Sequence, residues 1–413
     1  MNNQTSGFSR FLLLWCGELI SSIGGGLTSF GLAVYVFNET GSAASMAVVS
    51  LLAFLPTLLL TAPAGVLADR FDRRLLMMIG DGCSGLGVCY ILVCMLTGHA
   101  SLTQICIGVT VSSVFSALLE PSYRATVTDL LTKEEFSKAS GMVSLAGSAR
   151  YLISPALAGF LMAASDIKLL LVIDIATFIV TVITTGIVRQ GIVSAKSGEH
   201  DSFFSSFREG WRTIARNRGI LILTAVSGIM TCFMGTFQIL AEPMILDFTD
   251  SRTLGIAETV CACGMLISGL FLGIKGIRSG YVRILSLSLA FAGIMMALFG
   301  VKQNIYLMGG VGFLFFAMLP FANNCMDYLM RTNIPDEKQG RAWGLIGFLS
   351  QLGYVAAYGL AGLLADFAAE RMHVTVGRGS ACIVILSGAL LFALSAVTPL
   401  FRSVRALEKG TPQ

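Results

Sequence analysis

Charge is what this sequence lacks. Asp, Glu, Lys and Arg make up 13% of its 413 residues, about half of the roughly 25% that soluble domains carry. A chain this long and this poor in charge cannot cover itself for water, and a bilayer is the solvent that matches it. Histidine is scarce as well. His99, His200 and His373 all fall in connections between apolar runs and none belongs to an H-E-x-x-H, so the common zinc-hydrolase arrangement is missing. There is no G-x-x-x-x-G-K-[ST] loop, which argues against an ATP-driven pump. The ten cysteines lie inside apolar stretches, and Cys261 and Cys263 have no His or further Cys near them at zinc-like spacing. They read as small hydrophobes rather than ligands. The polar start, Met1 to Arg10, is followed by an apolar run of well over 20 residues. A signal peptide's apolar core is only about 7–15 residues, so this run reads as a retained helix.

What is present is apolar sequence in membrane-length pieces. A membrane helix needs about 20 mostly apolar residues, and that window finds twelve. They are 10–37, 45–68, 75–97, 101–124, 138–163, 167–189, 219–246, 254–274, 283–301, 304–329, 343–368 and 379–401. The reading is an all-α integral membrane protein of two pseudo-symmetric six-helix bundles, residues 1–189 and 219–401. Between them lies a linker, 190–218, and after them a tail, 402–413. Within the linker Phe203, Phe204, Phe207, Trp211 and Ile214 recur at helical spacing among Arg208, Glu209, Arg212 and Arg216, the pattern of an amphipathic helix at the headgroups. Placing the N-terminus in the cytoplasm puts 22 of the 28 Lys and Arg in inward segments and five in outward ones, with Arg150 inside a span. The positive-inside bias therefore predicts both ends cytoplasmic; the expected location is a bacterial-type inner membrane.

The halves match at an offset near 204. Gly65 meets Gly269 and Arg74 meets Arg278; at 203, Glu134 meets Glu337 and Lys138 meets Arg341. Repeated bundles are a common transporter plan. Between spans two and three stands Gly65-Val66-Leu67-Ala68-Asp69-Arg70-Phe71-Asp72-Arg73-Arg74, or G-x-x-x-D-R-x-x-R-R. Gly65 permits close helix approach. Asp69 can accept hydrogen bonds from a helix N-terminus, and Arg70, Arg73 and Arg74 can meet carboxylates or anionic lipid. Such a cluster can act as a breakable latch.

This loop resembles the signature loop of the major facilitator superfamily. Further segments resemble its macrolide-efflux and enterobactin-exporter branch: Trp15-Cys16-Gly17-Glu18-Leu19-Ile20-Ser21, Thr40-Gly41-Ser42, Pro121, Pro155-Ala156-Leu157-Ala158-Gly159, Arg208-Glu209-Gly210-Trp211, and Pro335 through Gly340-Arg341. The resemblance implies alternating-access export of an amphipathic, drug-like small molecule by a monomer among membrane lipids. It implies proton antiport, with the proton gradient as energy source, and neither cofactor nor nucleic acid. It also places Asp81 in the latch network. Two departures stand out. Gly273 occupies the place of Asp69 in the second half, and Ser154 stands where relatives often carry a glycine before the proline of span five.

Ionisable groups inside spans are functional candidates by default. Arg150 sits about 12 residues, or roughly 18 Å, from the expected inner end of its span, and Glu18 lies at a similar expected depth, so the two form a candidate pair. The pair is either a static bridge or a cavity-lining site where substrate or a proton competes for Glu18. Asp174 in span six is a candidate proton site or a helix-to-helix hydrogen-bonding group. Glu120 and Arg124, four apart, are expected to pair on one helical face beside the latch. Gln351, Tyr354 and Tyr358 share a face of span eleven, Asn323 and Asn324 lie in span ten, and Gln238 lies in span seven with Phe233 and Phe237. Such amide and aromatic surfaces suit an amphipathic ligand and equally serve as helix glue. Gly269 and Gly273 read as a packing GxxxG. Export of a siderophore, peptide or lysophospholipid is the alternative within transport, and a membrane-embedded enzyme or receptor is the alternative outside it.

Overall fold

The computed structural model describes residues 4–189 and 203–408; the first part of the expected linker, 190–202, and the end of the tail, 409–413, lie outside the described residues. Sixteen α-helices follow one another: α1 (Gln4–Thr40), α2 (Ala43–Arg70), α3 (Arg73–Thr97), α4 (Leu102–Ser116), α5 (Leu119–Leu130), α6 (Lys133–Leu152), α7 (Ser154–Ala164), α8 (Ile167–Arg189), α9 (Phe203–Arg216), α10 (Arg218–Leu246), α11 (Ser251–Lys275), α12 (Tyr281–Val301), α13 (Ile305–Arg331), α14 (Asp336–Met372), α15 (Val376–Val397) and α16 (Arg402–Glu408). No strand occurs among the described residues. Among the described residues, twelve segments are long and apolar enough to cross a membrane, one at each place the hydropathy pattern predicts.

Two of those spans are built from two helices each. The fourth, Leu102–Leu130, breaks between α4 and α5 at Ala117 and Leu118. The break falls four residues before Pro121, whose ring would clash with the Ala117 carbonyl and which has no N–H to give. The fifth breaks at Ile153, just before Pro155, for the same reason. Helix starts follow capping chemistry. Thr132 and Glu135 form a reciprocal capping box at the start of α6, satisfying two otherwise orphaned N–H groups. The helix therefore begins about five residues before the apolar window opens, and this extra length changes the depth of everything on it.

The contacts sort the helices into two compact units. The first holds α1, α2 from Val48 onward, α3 to α8, and residues 250–256 at the start of α11. The second holds residues 41–47, α9, α10, the rest of α11, and α12 to α16. In the first, α1 packs on α6, α7 and α8, and α3 on α4, α5 and α8. In the second, α10 packs on α14 and α15, and α12 on α13 and α15. Close approach depends on glycine at a few points: a Cβ on Gly353 would lie 2.1 Å from the Gly228 carbonyl oxygen. The amphipathic helix α9 docks on α14 with Ile214 fully buried, and Glu209 pairs with Arg341.

Candidate functional site

The Gly65–Arg74 loop is organised around two carboxylates. Asp129, at the end of α5, accepts from Arg73 Nη1 at 2.6 Å and lies 3.7 Å from Arg74 Nη2. Arg74 is fully buried, and Asp129 is 19% exposed. Asp72 caps α3 by accepting from the Arg74 backbone N–H at 3.1 Å and takes a second bond from Arg189 Nε at 2.7 Å. Burial works to raise Asp72, but the Arg189 and Arg74 hydrogen bonds outweigh it and hold the carboxyl below its ordinary 3.8. Asp69 lies 3.8 Å from Arg73, and Arg70 is exposed. The arginines of the expected latch thus gather on Asp129 and Asp72 as well as Asp69. Asp129 and Arg189 were not singled out by the sequence, because neither stands in the loop motif. Among the described residues, a Cβ added to Gly65, Gly269 or Gly273 would meet nothing within 4 Å, so no close helix approach depends on the missing side chain at any of the three.

Glu120 and Arg124 pair at 2.7 Å, as their spacing predicts, but both are 70% exposed and, among the described residues, bond to each other rather than to the arginine loop. Asp81 also stands apart from that loop. It lies two helical turns further along α3 and is 1% exposed.

Among the described residues, Arg150 makes no ion pair with Glu18. It donates to Ser29 Oγ at 2.7 Å, and Ser29 is 11 residues beyond Glu18, about 16 Å along α1. The reason is the early start of α6: Arg150 is 17 residues from Lys133, about 25 Å rather than 18 Å. Its charge acts instead on Asp174. Asp174 is 1% exposed, with its carboxylate accepting from Thr177 Oγ1 at 3.3 Å and its Oδ1 packed against Gly24. Ser154, the departure in span five, donates to the Ile23 carbonyl at 3.0 Å and so ties α7 to α1. Its hydroxyl fills the space that a side chain on Gly26 would need.

In the second unit Tyr358 donates to Gln238 Oε1 at 3.2 Å, and Tyr354 contacts Met234 Sδ at 3.0 Å. This joins α10 to α14 through the amide and ring surface that the sequence reading anticipated. Gln351 is half-buried on the same helix, and Asn323 and Asn324 are exposed on α13. Phe237 is not part of that surface. It is buried against Phe299 and Phe315, with ring centroids 4.6 and 4.5 Å away.

One contact was invisible in the sequence. Asp366 of α14 accepts from Ser42 Oγ at 2.6 Å and from the backbone N–H groups of Ala43 and Ala44 at 2.9 and 3.0 Å. The carboxylate thereby caps the start of α2, where the first N–H groups have no helical partner. Gly362 lets the backbones meet, since a Cβ there would lie 2.5 Å from the Ala43 carbonyl oxygen.

A family model described as Major Facilitator Superfamily matches residues 14–358. The chain belongs to the Major Facilitator Superfamily. Membership accounts for the twelve spans, makes this a multi-pass membrane transporter rather than an enzyme, and agrees with the loop signature. Among relatives, Macrolide efflux protein A of Streptococcus pyogenes is 25% identical over 410 residues, covering 97% of each chain. Multidrug efflux pump Tap of Mycolicibacterium fortuitum is 22% identical over 378 residues, 88% of this chain and 90% of the relative. Among solved structures, a bacterial homologue of the human lysosomal transporter Spinster superposes with a TM-score of 0.76 at 12% identity, over 98% of each chain. That structural likeness bears on the major facilitator fold alone.

Proposed function

We propose that the protein is a secondary transporter of the bacterial inner membrane that exports an amphipathic, drug-like small molecule by alternating access, in exchange for protons. The end-to-end similarity to Macrolide efflux protein A carries this reading. The Tyr354, Tyr358, Gln238 and Met234 surface of the second unit supports it, since it offers rings, an amide and a soft sulfur to a ligand with both apolar and polar parts. The 22-to-5 distribution of Lys and Arg supports an orientation with both termini in the cytoplasm.

The test is accumulation of a labelled macrolide, a cationic dye and a catecholate siderophore in energised cells, with and without a protonophore. Cells making the wild-type protein should hold less macrolide or dye than cells making Asp69→Asn, and the protonophore should erase that difference. Equal accumulation of both compounds despite good membrane expression would sink the drug-export reading. Selective exclusion of the siderophore would move the substrate to that class.

A further inference from the structure

An ionised carboxylate removed from water is stable only when hydrogen-bond donors or a positive charge meet it. Asp81 of α3 has neither. It is 1% exposed, and its Oδ2 is buried without a hydrogen-bond partner. Its surroundings can be placed layer by layer. Leu14 of α1, Met77 of α3, Tyr123 of α5 and Val188 of α8 belong to one apolar cluster. One helical turn onward, α1 brings Glu18 and α3 brings Asp81, while α5 and α8, which run the other way, bring Leu119 and Thr184. Two glycines agree with this register: a Cβ on Gly80 would meet Leu119 at 2.7 Å, and one on Gly17 would meet Thr184 Oγ1 at 2.5 Å.

Among the described residues the layer itself holds no positive charge; the buried Arg74, seven residues or about 10 Å back along α3, faces Asp129. The Ser122, Tyr123 and Thr185 hydroxyls bordering it are buried without hydrogen-bond partners. From α1 comes Glu18, and from α5 Tyr123 and Glu120, while Asp174 of α8 stands ten residues, about 15 Å, from Thr184. Glu120 is taken by Arg124, and Arg150 is held at Ser29, about 16 Å along α1 from Glu18. The neighbouring α4 carries no charged residue at all, and its Ser112 carbonyl and Ser116 hydroxyl are bonded to Ser84.

We propose that Asp81, with Glu18 and the hydroxyls around them, binds one small unit of positive charge, either a proton or a sodium ion. A proton taken from water by the carboxylate supplies the missing donor, and a sodium ion supplies the missing charge to carboxylate and hydroxyl oxygens together. The site rests on the transport reading for its purpose, as the coupling-ion site of the first unit, but not for its existence.

The full-length protein in lipid nanodiscs is treated with dicyclohexylcarbodiimide, which modifies protonated carboxyls in apolar surroundings, and the peptide holding Asp81 is followed by mass spectrometry. For a proton site, modification occurs at mildly acidic pH and falls about tenfold for each unit of alkaline shift past the midpoint. For a sodium site, sodium chloride protects Asp81, and N-methylglucamine chloride at equal ionic strength does not. Asp81 unmodified in every condition, or modified equally in all of them, overturns the proposal. Melting temperature gives the second readout. The wild type's dependence on pH or sodium should vanish in Asp81→Asn, or in Glu18→Gln if the first variant does not fold, and a variant that keeps the wild-type dependence also overturns it. Modification that responds to pH or sodium while the accumulation assay fails would leave the ion site standing and remove drug export.

Discussion

After the second span the chain is held by charge, and after the eighth, at the matching place in the repeat, it is held by rings. The first connection buries Arg74, pairs Arg73 with Asp129 at 2.6 Å and joins Arg189 to Asp72 at 2.7 Å. In the second, Gly273 replaces Asp69, and Asn333 stands at the offset of Asp129. Lys275 rests 4.9 Å over the Phe271 ring, Tyr281 stacks on Tyr328 at 3.7 Å, and Asn333 donates to the Leu407 carbonyl at 3.0 Å. The turn there runs through Gly276 and Gly280 at positive φ, a conformation that glycine adopts without the Cβ penalty. Two homologous corners of one fold thus close by different chemistry. Charge pairs respond strongly to loss of a partner or to pH, and ring contacts respond weakly.

That contrast can be broken most directly at Asp129. Asp129→Asn leaves Arg74 buried without its countercharge and should cost on the order of 3 kcal/mol, read as unfolding in mixed micelles. The same substitution would have nothing to strip from the second corner. A loss below about 0.5 kcal/mol would mean that Arg74 finds another partner and the contrast is false. Next comes Asp366→Ala, which removes three hydrogen bonds from the start of α2 and should cost about 2 kcal/mol. If Asp366→Asn is as damaging as alanine, the charge rather than the bonding is what the helix start needs. Arg189→Gln is smaller, about 0.5 kcal/mol, because the pair is partly exposed. Its signature is in the pH profile. Asp72 is held below its ordinary 3.8 in the folded state, so its contribution is present above about pH 4 and lost as the pH falls through the lower, folded value. The variant should show less of that acid loss than the wild type, and an unchanged acid limb would disconnect Asp72 from Arg189. Smallest is Lys275→Gln at the ring-held corner, about 0.5 kcal/mol or less. An effect as large as that of Asp129→Asn would erase the distinction between the corners.

Much of this was legible in residue order. The twelve spans follow from apolar runs, and the Glu120–Arg124 pair from a spacing of four. Each depends on neighbours within a turn or two, where backbone geometry alone sets the distance. The start of α6 was legible as well, in the Thr132 and Glu135 cap, but an apolar window does not register a polar first turn. Arg150 was consequently placed too shallow and matched with Glu18 instead of reaching Ser29.

Residue order determined the membrane solvent and the number of spans, because hydropathy and helix geometry are local. Tertiary structure alone decided that Asp129 receives Arg73 and Arg74, that Asp366 caps a helix 322 residues earlier in the chain, and that Asp81 sits with Glu18 in a layer without cations. A carboxylate's partner is whichever group packing brings within about 4 Å, and in a helical bundle that group usually belongs to a different span.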